Sequence, residues 1–119
     1  MLRGCVPIGM DDQLFPNDDF DAVALAYGNR EAGDVVWPST QTSLAVDHLD
    51  GLGSYPVVGN RPPITAVVVQ YHDDGILDAH YIHRQLDAVK YQYGCFLQTF
   101  LRDGKAIVAA PSALSSACP

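Results

Sequence analysis

Positive charge is scarce in this chain. Its 119 residues carry 7 basic against 14 acidic side chains, a formal net charge of -7. Arg3, Arg30, Arg61, Arg84, Lys90, Arg102 and Lys105 stand singly, so the sequence holds no basic patch. That balance disfavours an electrostatic grip on nucleic acid or on an anionic membrane. Long apolar runs are missing as well. Nothing approaches the ~20 residues a spanning helix needs, and "MLRGCVPIGM" lacks the apolar stretch of a secretion signal. Neither membrane insertion nor export by that route is expected. Cysteine is sparse: Cys5, Cys95 and Cys118 are odd in number, far apart and without a CxxC. Such a pattern favours reduced thiols, with Cys95 a small buried hydrophobe and Cys118 a terminal thiol open to intermolecular bridging at most. Glycine-rich phosphate loops, GxGxxG, GxSxG and HExxH are all absent. No enzyme class is legible, and a non-enzymatic protein without cofactor or metal is expected.

What is present suits one globular domain spanning 1–119. Hydrophobic residues make up 48% and charged residues 18% of the chain, enough to bury a core without metal or disulfide staples. Residues 1–19, with Pro7, Pro16 and acids at Asp11, Asp12, Asp18 and Asp19, read as an extended N-terminal arm. In "FDAVALAYGNREAGDVVWP" the alternation of Phe20, Ala22, Ala24 and Ala26, the "GNREAG" loop and the "DVVW" restart suggest a strand hairpin stopped by Pro38. "TSLAVDHL" reads as a third strand. "DGLGSYPVVGNRPP" is too rich in glycine and proline to be helical. Ile64–His72 is the clearest strand, β-branched and apolar on both faces, hence central in its sheet.

The strongest periodicity follows. Ala79, Ile82, Leu86, Val89, Tyr93, Phe96 and Phe100 recur at alternating spacings of three and four, which predicts one amphipathic helix of about 22 residues. A competing reading stops it near Tyr91 and makes residues 93–110 a strand hairpin around "RDGK", because Gly94 costs about 1 kcal/mol inside a helix. The continuous seam favours the helix. Residues 105–119 form an apolar tail with no charge after Lys105. The expected fold is α+β, a mostly antiparallel sheet with one long amphipathic C-terminal helix packed across it. Seam and tail outsize a small sheet, so a homo-oligomer is expected to cover them.

The segment "QYHDDGILDAHYIH" concentrates the side chains capable of chemistry. His80 and His83, three apart, share a helix face, and with His72, Asp73 and Asp74 they are the candidates for holding zinc or a similar ion. The spacing departs from the usual i, i+4 pair. The simpler account is a solvated helix face preceded by an Asp73-Asp74-Gly75 turn, and no catalytic, cofactor-binding or metal-ligating residue is assigned. Asn17, Asp18, Asp19 and Asp21 offer oxygen ligands without the spacing of an EF-hand loop. His48, beside Asp47, reads as structural.

Three resemblances accompany these readings. Gln70, Tyr71, Asp73 and Asp74 resemble the Tyr-x-Asp-Asp turn of reverse transcriptases, where the aspartates bind divalent metal. The Pro-Gln-Gly segment that family carries upstream is absent, and the chain is too short for its palm and fingers. "FDAVALAYGNREAGDVVWPS" and "LRDGKAIVAAPSALSS" resemble the opening hairpin and the last helix and tail of coat proteins of single-stranded RNA phages. That family binds RNA through basic sheet residues, whereas Ile64–His72 has none. "RPPITAVVVQYHDDG" resembles a proline-led strand and turn of tailed-phage head–tail connector proteins. The phage resemblances imply a structural subunit that self-associates in a virion, located there or in the host cytoplasm, with other virion subunits as partners. The alternatives are a small metal- or ligand-binding enzyme using His72, Asp73, Asp74, His80 and His83, and an acidic inhibitor or adaptor that mimics nucleic acid.

Overall fold

The computed structural model describes residues 5–9, 12, 14–75 and 78–119. Arg3, Gly4 and Asp11 of the expected arm lie outside the described residues. Within that arm, Cys5–Gly9 is a strand, β1, paired in parallel with a later strand over its whole length. It belongs to the sheet and is not an arm.

Asn17–Tyr27 is a helix, α1, where the alternation of Phe20, Ala22, Ala24 and Ala26 suggested a strand. Alanines fit either period, so other features decide. Asp18 and Asp19 complement the positive end of the helix in its first turn. Gly28 (φ 62°) closes the helix with its amide on Ala24 and Leu25 carbonyls. Phe20, Ala24 and Asp21 then fall on the inner face. The hairpin implied by the coat-protein resemblance is therefore a helix here. The expected loop "GNREAG" holds strand β2, Glu31–Ala32, whereas "DVVW" runs irregularly towards Pro38. "TSLAVDHL", read as a strand, supplies the second half of helix α2 (Ser39–Leu44) and a 3-10 turn at Ala45–Asp47, which sink Leu44 completely. Short strands β3 (Leu52–Gly53) and β4 (Val57–Val58) cross the glycine- and proline-rich region, with cis peptide bonds at Tyr55–Pro56 and Pro62–Pro63.

Val67–Tyr71 forms β5, buried along its length. The main sheet has the order β1-β5-β2-β3, and every pairing in it is parallel. This overturns the expected antiparallel sheet. Parallel neighbours need long crossovers, and α1 and α2 provide them where hairpin turns were anticipated. Val68 faces Phe20, Ala24, Leu44 and Leu49 on one side of the sheet, while Val67, Val69 and Tyr71 join the larger core on the other.

That larger core is closed by a 3-10 turn (Ala79–Tyr81) and helices α3 (Ile82–Gln85) and α4 (Asp87–Asp103). The expected single helix is broken at Leu86, whose backbone is extended (φ -87°, ψ 120°). The break resets the inner face to Val89, Tyr91, Gln92, Cys95, Phe96 and Thr99, and Tyr93 turns outward. Gly94 lies inside α4, so no hairpin forms there, though Ile107–Val108 does become strand β6, antiparallel to β4. The long helix thus covers a parallel sheet and a two-stranded ladder, not an antiparallel sheet. Among the described residues no helix is long and apolar enough to cross a membrane.

The tail is held by its own subunit. Cys95 and Cys118 form a disulfide, Tyr91 donates its hydroxyl to the Ala117 carbonyl at 2.9 Å, and Gln92 donates to the Ala109 carbonyl at 2.6 Å. Arg102 reaches the Pro119 carbonyl at 2.8 Å. The bond corrects the expectation of reduced thiols. It also removes the argument that tail cover must come from another copy.

Candidate functional site

Parallel strands send all their carboxyl ends to one edge, and in open α/β sheets ligands bind in the crevice beyond that edge. Here β2 runs out into Gly33 and Asp34, β3 into Ser54 and Tyr55, and β5 into His72, Asp73 and Asp74. These ends enclose a cleft of about 600 Å³. Tyr55 lies so close over Gly33 that a Cβ there would meet its phenol oxygen at 2.6 Å, and Gly33 also has φ 89°. Glycine is required on both counts. The Tyr55 hydroxyl donates to the Ala32 carbonyl at 3.2 Å. Tyr71, at the end of β5, donates to the side-chain oxygen of Gln92 on α4.

The wall formed by residues 33–37 has no regular structure, so side chains must hold it. Gln70 does this from the middle of the sheet. Its oxygen accepts the amides of Val36 (2.7 Å) and Trp37 (2.6 Å), and its nitrogen donates to the Trp37 carbonyl (3.1 Å) and Thr40 hydroxyl (2.7 Å). Thr40 donates in turn to Asp21 at 2.7 Å, and the Trp37 indole donates to the same carboxylate at 3.3 Å. Beside this layer the Gln41 amide donates to the fully buried Glu31 and accepts from Gly51. Burial pushes the Glu31 carboxyl above its ordinary range; the Gln41 contact opposes that, and the Asp21 charge adds to it.

Asp34, His72 and Asp74 are exposed on the cleft, and no lysine or arginine among the described residues lines it. Asp74 takes a left-handed backbone (φ 47°), and Asp73 accepts the Gly75 amide at 3.3 Å, so the Asp-Asp-Gly segment is a tight turn. The cleft is acidic at its mouth and walled by Val69, the two tyrosines and Pro111.

A second feature sits beyond the end of β1. Asp12 Oδ2 lies 3.0 Å from Nδ1 of His80, and the carboxylate is almost sealed, with 3% of its side chain exposed. Burial alone would raise the Asp12 carboxyl, but the amides of Leu14 and Phe15 together with His80 hold it below the ordinary carboxylate range. Phe15 stacks on the imidazole at 5.6 Å between centroids, and Tyr81 meets it edge-on at 4.9 Å. Among the described residues Nε2 of His80 has no hydrogen-bond partner. A carboxylate-backed ring with one free nitrogen is equipped for proton transfer. It borders a cavity of about 250 Å³ that His83 also lines.

The five side chains singled out in the sequence therefore divide. His72 and Asp74 reach the cleft, Asp73 closes the turn, and His80 and His83 border the smaller cavity. Among the described residues no three histidine, cysteine or acidic side chains come together to hold a metal ion. Asp12, Asp34 and Tyr55 were not visible as site residues, and Gln70 entered only through the Tyr-x-Asp-Asp resemblance. A "Gly-Asp" after a strand is a usable signal for Asp34, but only where the two-residue β2 is recognised as a strand. No protein-family model, curated protein or solved structure matches the chain.

Proposed function

We propose that this domain binds a small neutral or cationic ligand, rich in hydrogen-bond donors, in the cleft beyond β2, β3 and β5. The observation that carries the reading is the cleft's composition: Asp34, Asp74 and His72 at a parallel-sheet edge, with no lysine or arginine among the described residues that line it. Carboxylates accept from amines and hydroxyls and repel phosphate. The volume suits a small ligand. Amide shifts of the 15N-labelled protein on titration with putrescine, glucosamine and glucose 6-phosphate test it. The two amines should bind and the phosphate should not, and Asp34→Asn should weaken amine binding about fivefold, as one partly solvated charge contact does. Equal binding of glucose 6-phosphate, or no amine signal at residues 33–34 and 72–74, would overturn the proposal.

Self-association as a structural subunit is a second reading, and one observation favours it. Tyr93, Leu97 and Leu101 repeat every fourth residue on α4 and are 39%, 47% and 82% exposed. The further step to a virion rests on the sequence resemblances alone. Light scattering at high micromolar concentration should then show a dimer or larger species that Leu97→Asp converts to monomer. A monomeric wild-type chain would sink this reading.

A further inference from the structure

Another cavity lies away from the cleft, at the opposite end of the sheet, where α4 ends and β5 begins. It measures about 660 Å³. Its walls are apolar: Ile64, Phe96, Phe100 and Val58, with Pro62 and Pro63. Gly104 (φ 71°) ends α4 and turns the chain so that Lys105 lines the same cavity.

Lys105 is unusual among the described cations. Arg30 binds the carbonyls of His48 and Asp50, and Arg61 binds those of Tyr27 and Gly28. Arg84 lies over the Tyr81 ring, Lys90 pairs with Asp87, and Arg102 pairs with Asp103. Lys105 has no ion-pair or hydrogen-bond partner among the described residues, in a chain whose net charge is -7. An unpaired ammonium beside an apolar hollow is complementary to one kind of molecule. The geometry points to an apolar anion, a compound with an aliphatic or aromatic body and a single acidic headgroup. The body fills the space against Phe96, Phe100 and Ile64, and the headgroup meets Nζ of Lys105.

The known competitor is the carbonyl end of α4, which disfavours a nearby anion. Its effect is reduced because the Gly104 amide occupies the Phe100 carbonyl at 2.8 Å and the headgroup contact is made beyond the helix. The hydrocarbon contribution is independent of sign, since it depends on area removed from water. Sign is therefore what the experiment must read.

Decanoate, decanol and decylamine share one body and differ in headgroup. Titrated into the 15N-labelled full-length protein, decanoate should shift the amides of Ile64, Phe96 and Phe100 and bind most tightly, with decylamine weakest. Lys105→Gln should weaken decanoate about three- to tenfold and leave decanol unchanged, the scale of one charge-assisted contact at a partly exposed site. Lys105→Glu should reverse the order of the two charged compounds. Absence of shifts at those amides, shifts confined to the carboxyl-edge cleft, or equal binding of all three compounds would each overturn the proposal. Lys105 is exposed, so neither substitution threatens the fold.

Discussion

Gln70→Leu lowers the stability of the domain by about 3–5 kcal/mol, the expected cost of stripping partners from several buried polar groups at once. Leucine keeps most of the volume and is more apolar, so a purely hydrophobic account of β5 predicts little loss. The geometry predicts otherwise. Gln70 is 4% exposed and makes four hydrogen bonds, to Val36 N, Trp37 N, Trp37 O and Thr40 Oγ1. Leucine satisfies none of them, and Thr40 loses the donor that orients it towards Asp21. Urea unfolding of the two proteins measures the difference, and a change below about 1 kcal/mol would show that water or rearrangement replaces these contacts. Because the same amide fixes the loop bearing Asp34, the variant should also lose binding in the cleft.

Breaking the Cys95–Cys118 bond, by reductant or by Cys118→Ser, is expected to cost about 3 kcal/mol, the value for closing a loop of this length. The sequence separation is 23. Two features should survive. Gln92 still donates to the Ala109 carbonyl, which precedes the released segment, and the parallel sheet does not involve the tail. Thermal unfolding with and without reductant should therefore show a lower midpoint with an intact cooperative transition. Amide exchange should rise first at residues 110–119. Identical midpoints in both conditions would mean that the tail adds nothing to the fold.

Some of this architecture can be read from residue order and some cannot. Val67, Val68 and Val69 announce a central strand because β-branched residues on both faces have nowhere to be but inside a sheet. Val89 and Phe96 likewise announce an inward helix face. The parallel pairing is hidden, since β2 and β3 have two residues each and no two-residue strand carries a period. Ala22, Ala24 and Ala26 suit strand and helix alike, and the acidic first turn and Gly28 were the better guides. Gln92 and Thr99 point inward because the Ala109 carbonyl and the Ile107 amide meet them there, and hydrophobic spacing cannot anticipate that. Asp12 and His80 are drawn together only by tertiary structure. Nothing local marks Cys95 and Cys118 as partners. Each lies in a setting that looked self-sufficient, a buried helix position and a terminal residue.

The position of β5 between β1 and β2 has a consequence for the order of events during synthesis. β1 leaves the ribosome before β2 and β5, yet its neighbour in the sheet among the described residues begins at Val67. Until then β1 and β2 are two strands with an empty lane between them. They cannot close on each other without excluding the strand that belongs there. The segment that completes both ladders carries three successive valines, and nascent protein must keep β1 unpaired until it is made. Pairings so distant in sequence are slow to form, because the loop they close is long. Maturation of this domain is thus gated by the arrival of one valine-rich strand.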